Sequence, residues 1–442
     1  MGSGLSGLLA AHALRKAGHE VTLYTDRSAQ HWLEHARPTG AAARFGPAVA
    51  YERELGLGHW EADAPKIAGA HMTMCPQVGN RLVTMAGHLA APGQAIDLRL
   101  QSHRWMNDLE AAGGQLVLGA LDVEQLDAIS ARHDLVLVAA GRGPLAELFP
   151  RNARRSVYQA PQRKVAMAIV AGAPRELPGV PFVPFKINLL VPHGEVFFIP
   201  YYHRDRGATW CLGFEARAGG VMDRFDGCRT GEDVVAAGLA LLRELMPWEA
   251  AWLDGVELAD PNAWQVGAVT PTIREPVGRL PSGRAVMALG DTAMSLDPIA
   301  AQGANLGSRL VRHVAEAIAE ATGSPGAAFD AGWIARTFEA FWAEHGAPAV
   351  TFNNLMLEPM TAAGKLLMIS QAGGDARKQR IADAIMENFA DPRRITHAFV
   401  DVGAARALIG ELTGHSWRRE MLSGALHVGS GQLRRMFGIS AA

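Results

Sequence analysis

The chain has few cysteines, no surplus of charge and no long apolar run, and each shortage removes a class of function. Its three cysteines, Cys75, Cys211 and Cys228, are odd in number and far apart, so neither a disulfide frame nor a metal-ligand spacing is available. They read as structural thiols in a reducing, cytoplasmic compartment. Lys plus Arg number 42 against 44 Asp plus Glu, a net charge of -2, so no bulk field recruits nucleic acid or an anionic membrane. The longest apolar stretches, such as Leu135–Ala140 and Val165–Val170, fall far short of the roughly 18 residues that span a bilayer. No charged leader precedes the first motif, which begins at residue 2, so export is not expected. No serine sits in a nucleophile elbow, and hydrolase and metalloenzyme chemistry are set aside.

What is present starts at once. Gly2-Ser3-Gly4-Leu5-Ser6-Gly7 is a G-x-G-x-x-G run, continued by helix formers from Leu8 to Lys16 and stopped at Gly18. Val21–Thr25 has the β-branched and aromatic make-up of a buried strand. Asp26 closes it 19 residues after Gly7, where a dinucleotide fold carries its ribose-binding acid. The glycines let the backbone approach a pyrophosphate, whose charge the free N–H groups and dipole of the next helix hold. A chance glycine-rich turn is the competing reading, and the correct offsets of helix, strand and acid argue against it. One part is missing, because such a fingerprint follows a first strand and only Met1 stands before it. The expectation is that several apolar residues precede Met1, itself an internal Val codon read as a start. The alternative is a protein that lacks this strand and binds nucleotide poorly.

Along the rest of the chain, residues 28–70 read as helix and loop and 71–95 as a β excursion. Residues 96–112 are helical and lead to Leu116–Leu118, and Asp134–Ala140 is a continuous apolar strand running into a glycine turn, as parallel sheets require. From 157 to 267 short strands (Val165–Val170, Val196–Ile199, Trp210–Phe214) alternate with Pro and Gly turns, with one helix at Gly231–Leu245. The expected fold is therefore α/β (α+β), a Rossmann-like nucleotide-binding domain with an inserted antiparallel-sheet substrate domain and C-terminal helices. The expected division is 1–70, 96–156 and 268–325 for the first, 71–95 and 157–267 for the second, and 326–442 for the helical region.

A second constellation follows the strand Arg284–Leu289. Gly290-Asp291 puts a carboxylate at the carboxyl end of a parallel strand, where open α/β sheets bind ligands. A plain helix cap is the competing reading. Pro298 is placed to wall a cofactor ring, and Gln302-Gly303-Ala304-Asn305 opens a helix whose N–H groups can face an electron-poor ring and stabilise negative charge on it. Phe182, Phe185, Phe197, Phe198, Tyr201 and Tyr202 are candidates for lining an apolar pocket, with plain core packing as the alternative.

Taken in order, Gly2–Gly7, Val21–Arg27, Gly290-Asp291 and Asp297-Pro298 with Gln302–Asn305 resemble the flavoprotein monooxygenases built on the para-hydroxybenzoate hydroxylase fold. More narrowly they resemble the oxygenase component of styrene and indole monooxygenases, as do Ala95–Arg99, Pro161–Arg163, His193–Pro200 and Thr351–Asn354. The resemblance covers nearly the whole chain. It implies FAD as cofactor, delivered already reduced by a separate NADH-dependent flavin reductase. It also implies reaction with O2 through a flavin C4a-(hydro)peroxide, and epoxidation of an apolar aromatic alkene such as styrene or indole.

Carried over by position, the resemblance sets Gly2, Ser3, Gly4, Leu5, Ser6 and Gly7 at the pyrophosphate and Thr25, Asp26 and Arg27 on the adenosine side. It sets Gly290 and Asp291 at the ribityl chain, and Pro298 with Gln302, Gly303, Ala304 and Asn305 at the isoalloxazine. Arg37, in a loop expected to approach the flavin, and Gln101, near the start of a cofactor-facing helix, complete the set. Arg37 and Pro298 are the catalytic candidates. Met294 stands where many single-component hydroxylases carry His, and Ala301 replaces the first Gly of the usual Gly-Gln-Gly. Peroxyflavin chemistry needs a dry cavity more than a triad or paired carboxylates, in keeping with the absence of both motifs. A single-component NAD(P)H-dependent hydroxylase and a non-catalytic flavin-binding protein remain alternatives, and a homodimer is left open.

Overall fold

The computed structural model describes residues 1–38, 42–177, 179–323 and 328–436. Thr39 and Gly40, the expected boundary at 325/326 and residues 437–442 lie outside these. The chain forms α1 (Leu5–Lys16), β1 (Thr22–Thr25), α2 (Ala29–His35), α3 (Gly46–Glu54), β2 (Ile67–Cys75), β3 (Val83–Gly93), α4 (Leu98–Ala111), β4 (Gln115–Leu118), α5 (Val123–Ser130) and β5 (Leu137–Val138). It continues through β6 (Lys164–Ala171), β7 (Pro184–Leu190), β8 (Gly194–His203), β9 (Gly207–Ala216), α6 (Gly231–Leu245), α7 (Pro247–Ala250), β10 (Glu257–Leu258), β11 (Trp264–Ala268), β12 (Thr272–Ile273), β13 (Val277–Arg279), β14 (Ala285–Ala288) and β15 (Met294–Ser295). The remainder is helical: α8 (Gln302–Thr322), α9 (Ala331–Phe341), α10 (Ala347–Leu357), α11 (Ala362–Ser370), α12 (Ala376–Ala390), α13 (Thr396–Val400), α14 (Val402–Thr413) and α15 (Trp417–Met436).

The architecture is α/β, with a Rossmann-like part in which β1 runs parallel to β4 and β5 parallel to β14. These two pairs meet across Met1 and Gly2: Gly2 N donates to Tyr24 O at 2.9 Å, Ala139 N to Met1 O at 2.8 Å, and Met1 N to Leu137 O at 2.7 Å. The apolar run Asp134–Ala140 pairs as a strand over Leu137–Val138, with the short β14 on one side and Met1 on the other. On α8, Leu306, Leu310, Val311, Val314 and Ile318 repeat at helical spacing and are buried in one core with Leu8 and Leu9 of α1. No helix among the described residues is long and apolar enough to cross a membrane.

The second sheet has eight strands in the order β10-β6-β9-β8-β7-β2-β3, with β11 also on β6. It is antiparallel except where β2 meets β7, the seam between its two pieces of sequence. β7 is not obvious in sequence because Lys186 and Asn188 interrupt it. Both are buried, and Glu249 satisfies them, with Lys186 Nζ at 3.0 Å and Asn188 Nδ2 at 3.1 Å from its Oε1. One face of the sheet packs on α6, whose Thr230–Asp233 capping box fixes its start. The other face packs on the C-terminal helices, where Phe352 meets Phe389 edge-to-face at 4.9 Å. Each such fully buried ring contributes about 2–3 kcal/mol of hydrophobic stabilisation.

Candidate functional site

The carboxyl ends of β1, β5 and β14 and the start of α8 converge, and glycine governs how closely. Gly2 has φ +96°, and a Cβ there would stand 2.3 Å from Ala139 O; a Cβ on Gly7 would stand 1.8 Å from Gly2 O. Gly4 faces open space and caps α1 without a side chain, leaving the first-turn N–H groups of Leu5, Ser6 and Gly7 without a side-chain cap and free for an anion. Ser3 is spent within the protein: its Oγ lies 2.6 Å from Thr25 Oγ1 and accepts from Trp32 Nε1 at 2.8 Å. Ser6 joins the two distant motifs, since its Oγ lies 2.5 and 2.8 Å from where a Cβ of Gly290 or Gly307 would be. Asp26 is exposed at the end of β1, 3.8 Å from Arg27, whose guanidinium lies 4.9 Å over the Trp32 ring.

Asp291 opens to solvent in a recess. The protein around it withdraws enough water to push its carboxyl up, against the pull of the Arg142 and Arg274 guanidiniums. Thr292 Oγ1 donates to Gly141 O at 3.0 Å and so ties the ends of β14 and β5. Pro298 is exposed, and the turn it starts ends at Ala301 with φ +53°, the one non-glycine residue of positive φ among the described residues. The side chains of Gln302 and Asn305 are committed to protein. Gln302 donates to Ala300 O at 2.8 Å and Phe389 O at 3.0 Å. Asn305 accepts from Phe45 N at 2.8 Å and donates to Ala43 O at 2.8 Å. What α8 leaves half-exposed is its backbone at Gly303 and Ala304.

Gln101 is buried on α4, beside the Ser102 hydroxyl that donates to Ser3 O at 3.1 Å, and neither atom of its amide has a partner within the protein. Leaving such a group unpaired costs about 1–3 kcal/mol. Arg37 lies apart from these groups, with its guanidinium 5.0 Å over the Trp264 ring of β11. Sequence reasoning missed Arg142 and Arg274, and also the buried pair Arg44–Glu52 at 2.5 Å, where burial pushes the Glu52 carboxyl up and Arg44 draws it down. Only Arg142, inside the glycine turn Gly141–Gly143, left a local signal.

An apolar pocket lies between the substrate sheet and α10–α11. Met74, Leu189, Phe352, Leu355, Met356 and Phe399 form its walls, and Arg163, Glu195 and Arg217 its polar end. None of the six aromatic candidates lines it: Phe185 and Phe197 stack in the core at 5.8 Å, and Phe198 packs on Trp252 at 5.1 Å. α10 also packs against the Pro298 turn. A larger polar groove, lined by Ser130, His133, Arg279 and Arg284 among others, lies at the amino ends of β5 and β14, opposite to where α/β sheets bind ligands.

Residues 141–251 match the family model "Styrene monooxygenase A putative substrate binding domain", and residues 1–43 match a NAD(P)-binding Rossmann-like domain. Styrene monooxygenase StyA of Pseudomonas fluorescens is 27% identical over 314 residues, 70% of this chain and 74% of that protein. The chain is a styrene-monooxygenase-like flavoprotein oxygenase. Solved structures share the fold of this styrene-monooxygenase-like protein. A flavoprotein/dehydrogenase from Cytophaga hutchinsonii has a TM-score of 0.65 at 13% identity, covering 93% of this chain and 97% of that one. A triple mutant of the flavin-dependent brominase Bmp2 has a TM-score of 0.60 at 19% identity, with the same coverage.

FAD is the cofactor of this styrene-monooxygenase-like oxygenase, and the cleft fits it on three counts. Gly4 leaves room for close backbone approach, the uncapped N-termini of α1 and α8 offer N–H groups, and the Gln101 amide is an orphan that a ligand can satisfy.

Proposed function

We propose that this chain is the oxygenase of a two-component system that takes reduced FAD from an NADH-dependent flavin reductase and epoxidises an apolar aromatic alkene of the styrene or indole type. The observation that carries this reading is the apolar pocket walled by α10, the same helix that packs on the Pro298 turn. Support comes from a curated relative that is a styrene monooxygenase.

Reduced FAD supplies the two electrons with which one atom of O2 enters the substrate and the other leaves as water. On this reading the stretch Gly2–Gly7 holds the pyrophosphate, Gly2 and Gly4 by giving it room and Leu5, Ser6 and Gly7 through backbone N–H groups, and Asp26 accepts from a ribose hydroxyl, with Thr25 and Arg27 beside it. Asp291 accepts from the ribityl chain next to Gly290. Gly303 and Ala304 present N–H groups to the ring, with Gln302 and Asn305 bracing the helix start and Pro298 walling the ring. Gln101 pairs its amide with the cofactor, and Arg37 approaches once it leaves Trp264. Met74, Leu189 and Phe352 exclude water from the reacting alkene. The domain division 1–70, 96–156 and 268–325 against 71–95 and 157–267, with helices from 326, belongs to the same proposal.

The test supplies the purified protein with FAD, a generic flavin reductase and NADH. Styrene is expected to give its oxide and indole a blue pigment. Rapid NADH oxidation without the reductase, on adding substrate, would instead support the single-component hydroxylase. No uptake of reduced FAD would overturn both.

A further inference from the structure

Behind the Pro298 turn lie three buried carboxyl groups. Glu195 of β8 and Glu215 of β9 are directly paired across the strands, and Asp297 precedes Pro298. Glu195 is fully engaged by Arg163, whose Nε and Nη2 reach its two oxygens at 2.7 and 2.9 Å. Arg217, half-buried, donates to Leu357 O at 3.4 Å. Tyr158, the remaining titratable group beside Asp297, donates its hydroxyl to Glu358 Oε1 at 2.9 Å. Asp297 Oδ1 accepts from Ile299 N at 3.2 Å, while Asp297 Oδ2 and Glu215 Oε2 are buried with no N–H or other donor in reach. These last two carboxyl groups face each other within hydrogen-bonding distance. Two ionised carboxylates only accept, so they cannot hydrogen-bond to each other unless one carries a proton. Three carboxyl groups beside two guanidiniums, one of them half-exposed, leave room for one such proton.

We propose that Glu215 and Asp297 share a single proton, and that the resulting carboxyl–carboxylate hydrogen bond is a latch holding the turn from Asp297 to Ala301, and with it the start of α8, against the inner strands of the substrate sheet. Glu215 belongs to the substrate sheet and Asp297 to the turn before α8, so the bond joins the two. Desolvation raises both carboxyls, Glu215 well above its usual range; the charges of Asp297 and Glu195 add to the rise at Glu215 and Arg163 opposes it, while the hydrogen bonds with Glu215 and Ile299 N draw Asp297 back down. Both are positioning residues. Their consequence for FAD rests on the function proposed above, whereas the shared proton does not.

The first experiment is an infrared difference spectrum, without FAD, between the protein and Glu215→Gln at neutral pH. A protonated-carboxyl C=O band is expected in the parent protein and absent from the variant; no such band in the parent overturns the latch. The second is thermal melting against pH. The unfolded chain releases this proton near pH 4.3, roughly the free glutamate value, and the folded chain releases it later. Stability from the pair is therefore full below that pH and declines as pH rises through the raised folded value. Glu215→Gln keeps a neutral donor and so should melt higher than the parent at pH 8, by a margin that closes towards pH 5. A constant margin overturns the latch. Glu215→Leu removes the donor and should melt lower at both; if it does not fold, the band and the glutamine variant still decide. FAD affinity should fall in Glu215→Leu and be kept in Glu215→Gln. Unchanged affinity in both, with band and melting as expected, leaves the latch standing and refutes the placement of FAD at this turn.

Discussion

The two sides of the cleft are built by opposite means. On the nucleotide side, contacts are made by what is absent: Gly2, Gly7, Gly290 and Gly307 have no Cβ, so the first loop, Ala139 and Ser6 close to distances that any side chain would occupy. On the substrate side, the Arg163–Glu195–Glu215–Asp297 cluster is made of ionisable side chains drawn from four places in sequence and removed from water. Backbone sites of the first kind tolerate no added atom, while sites of the second kind depend on each charge keeping its partner.

Substitution should expose that contrast most strongly at Gly7. Gly7→Ala would drive a Cβ to 1.8 Å from Gly2 O, where the opposing atom is backbone and cannot rotate aside. A loss of at least about 3 kcal/mol follows, in the upper range for overpacking, read as lost soluble protein. Gly4→Ala meets nothing within 4 Å, so melting should be unchanged while FAD affinity drops about tenfold, roughly 1.4 kcal/mol. A stability loss in Gly4→Ala equal to that of Gly7→Ala would show that both are packing glycines, and would remove Gly4 from the cofactor argument.

Arg163→Met tests the other side. It leaves Glu195 buried without its guanidinium, beside two further carboxyl groups, and breaking a buried pair in this way costs about 3–5 kcal/mol. Chemical denaturation measures it. The double change Arg163→Met with Glu195→Leu should recover much of the loss, and a double variant no better than the single one would mean that the pair is not the unit lost.

This division also explains what was legible. The glycine motifs, Asp26 and Asp291 lie within short spans, so spacing alone reveals them. The pairing of Glu195 with Arg163 joins residues 32 apart, and the clamp of Asn305 on Phe45 joins residues 260 apart; no local pattern marks either. β7 was hidden for the same reason, because Lys186 reads as surface until Glu249 arrives from a later helix. Asn305 was found for its position, yet its side chain binds the chain itself. Gln101 was found only through the family resemblance, and its orphan amide became visible only in three dimensions.

A smaller effect is expected at Asp291. Its carboxyl faces Arg142 and Arg274 in the recess, so Asp291→Ala should leave the fold intact and weaken FAD binding by about three- to tenfold, measured by flavin fluorescence titration. Unchanged affinity would return Gly290-Asp291 to the plain capping turn that the dipeptide resembles in isolation.

The smallest effect lies at Ala301, where a side chain intrudes on a backbone-governed stretch. At φ +53° and ψ +29° an alanine is held in a left-handed conformation that costs about 1–2 kcal/mol. Ala301→Gly relieves that strain in the folded chain but gives the unfolded chain about 0.4–1 kcal/mol of additional freedom. The net gain is therefore at most about 1.6 kcal/mol, a rise of no more than about 2 °C in melting temperature for a chain of 442 residues. Ala301→Val should lower melting instead, since a β-branched residue suits this conformation worst. A fall in Ala301→Gly as well would mean that the Ala301 methyl, packed at the edge of the core that holds Ile299 and Phe389, contributes more than its backbone costs, and that even the nucleotide side relies on side chains where it meets α8.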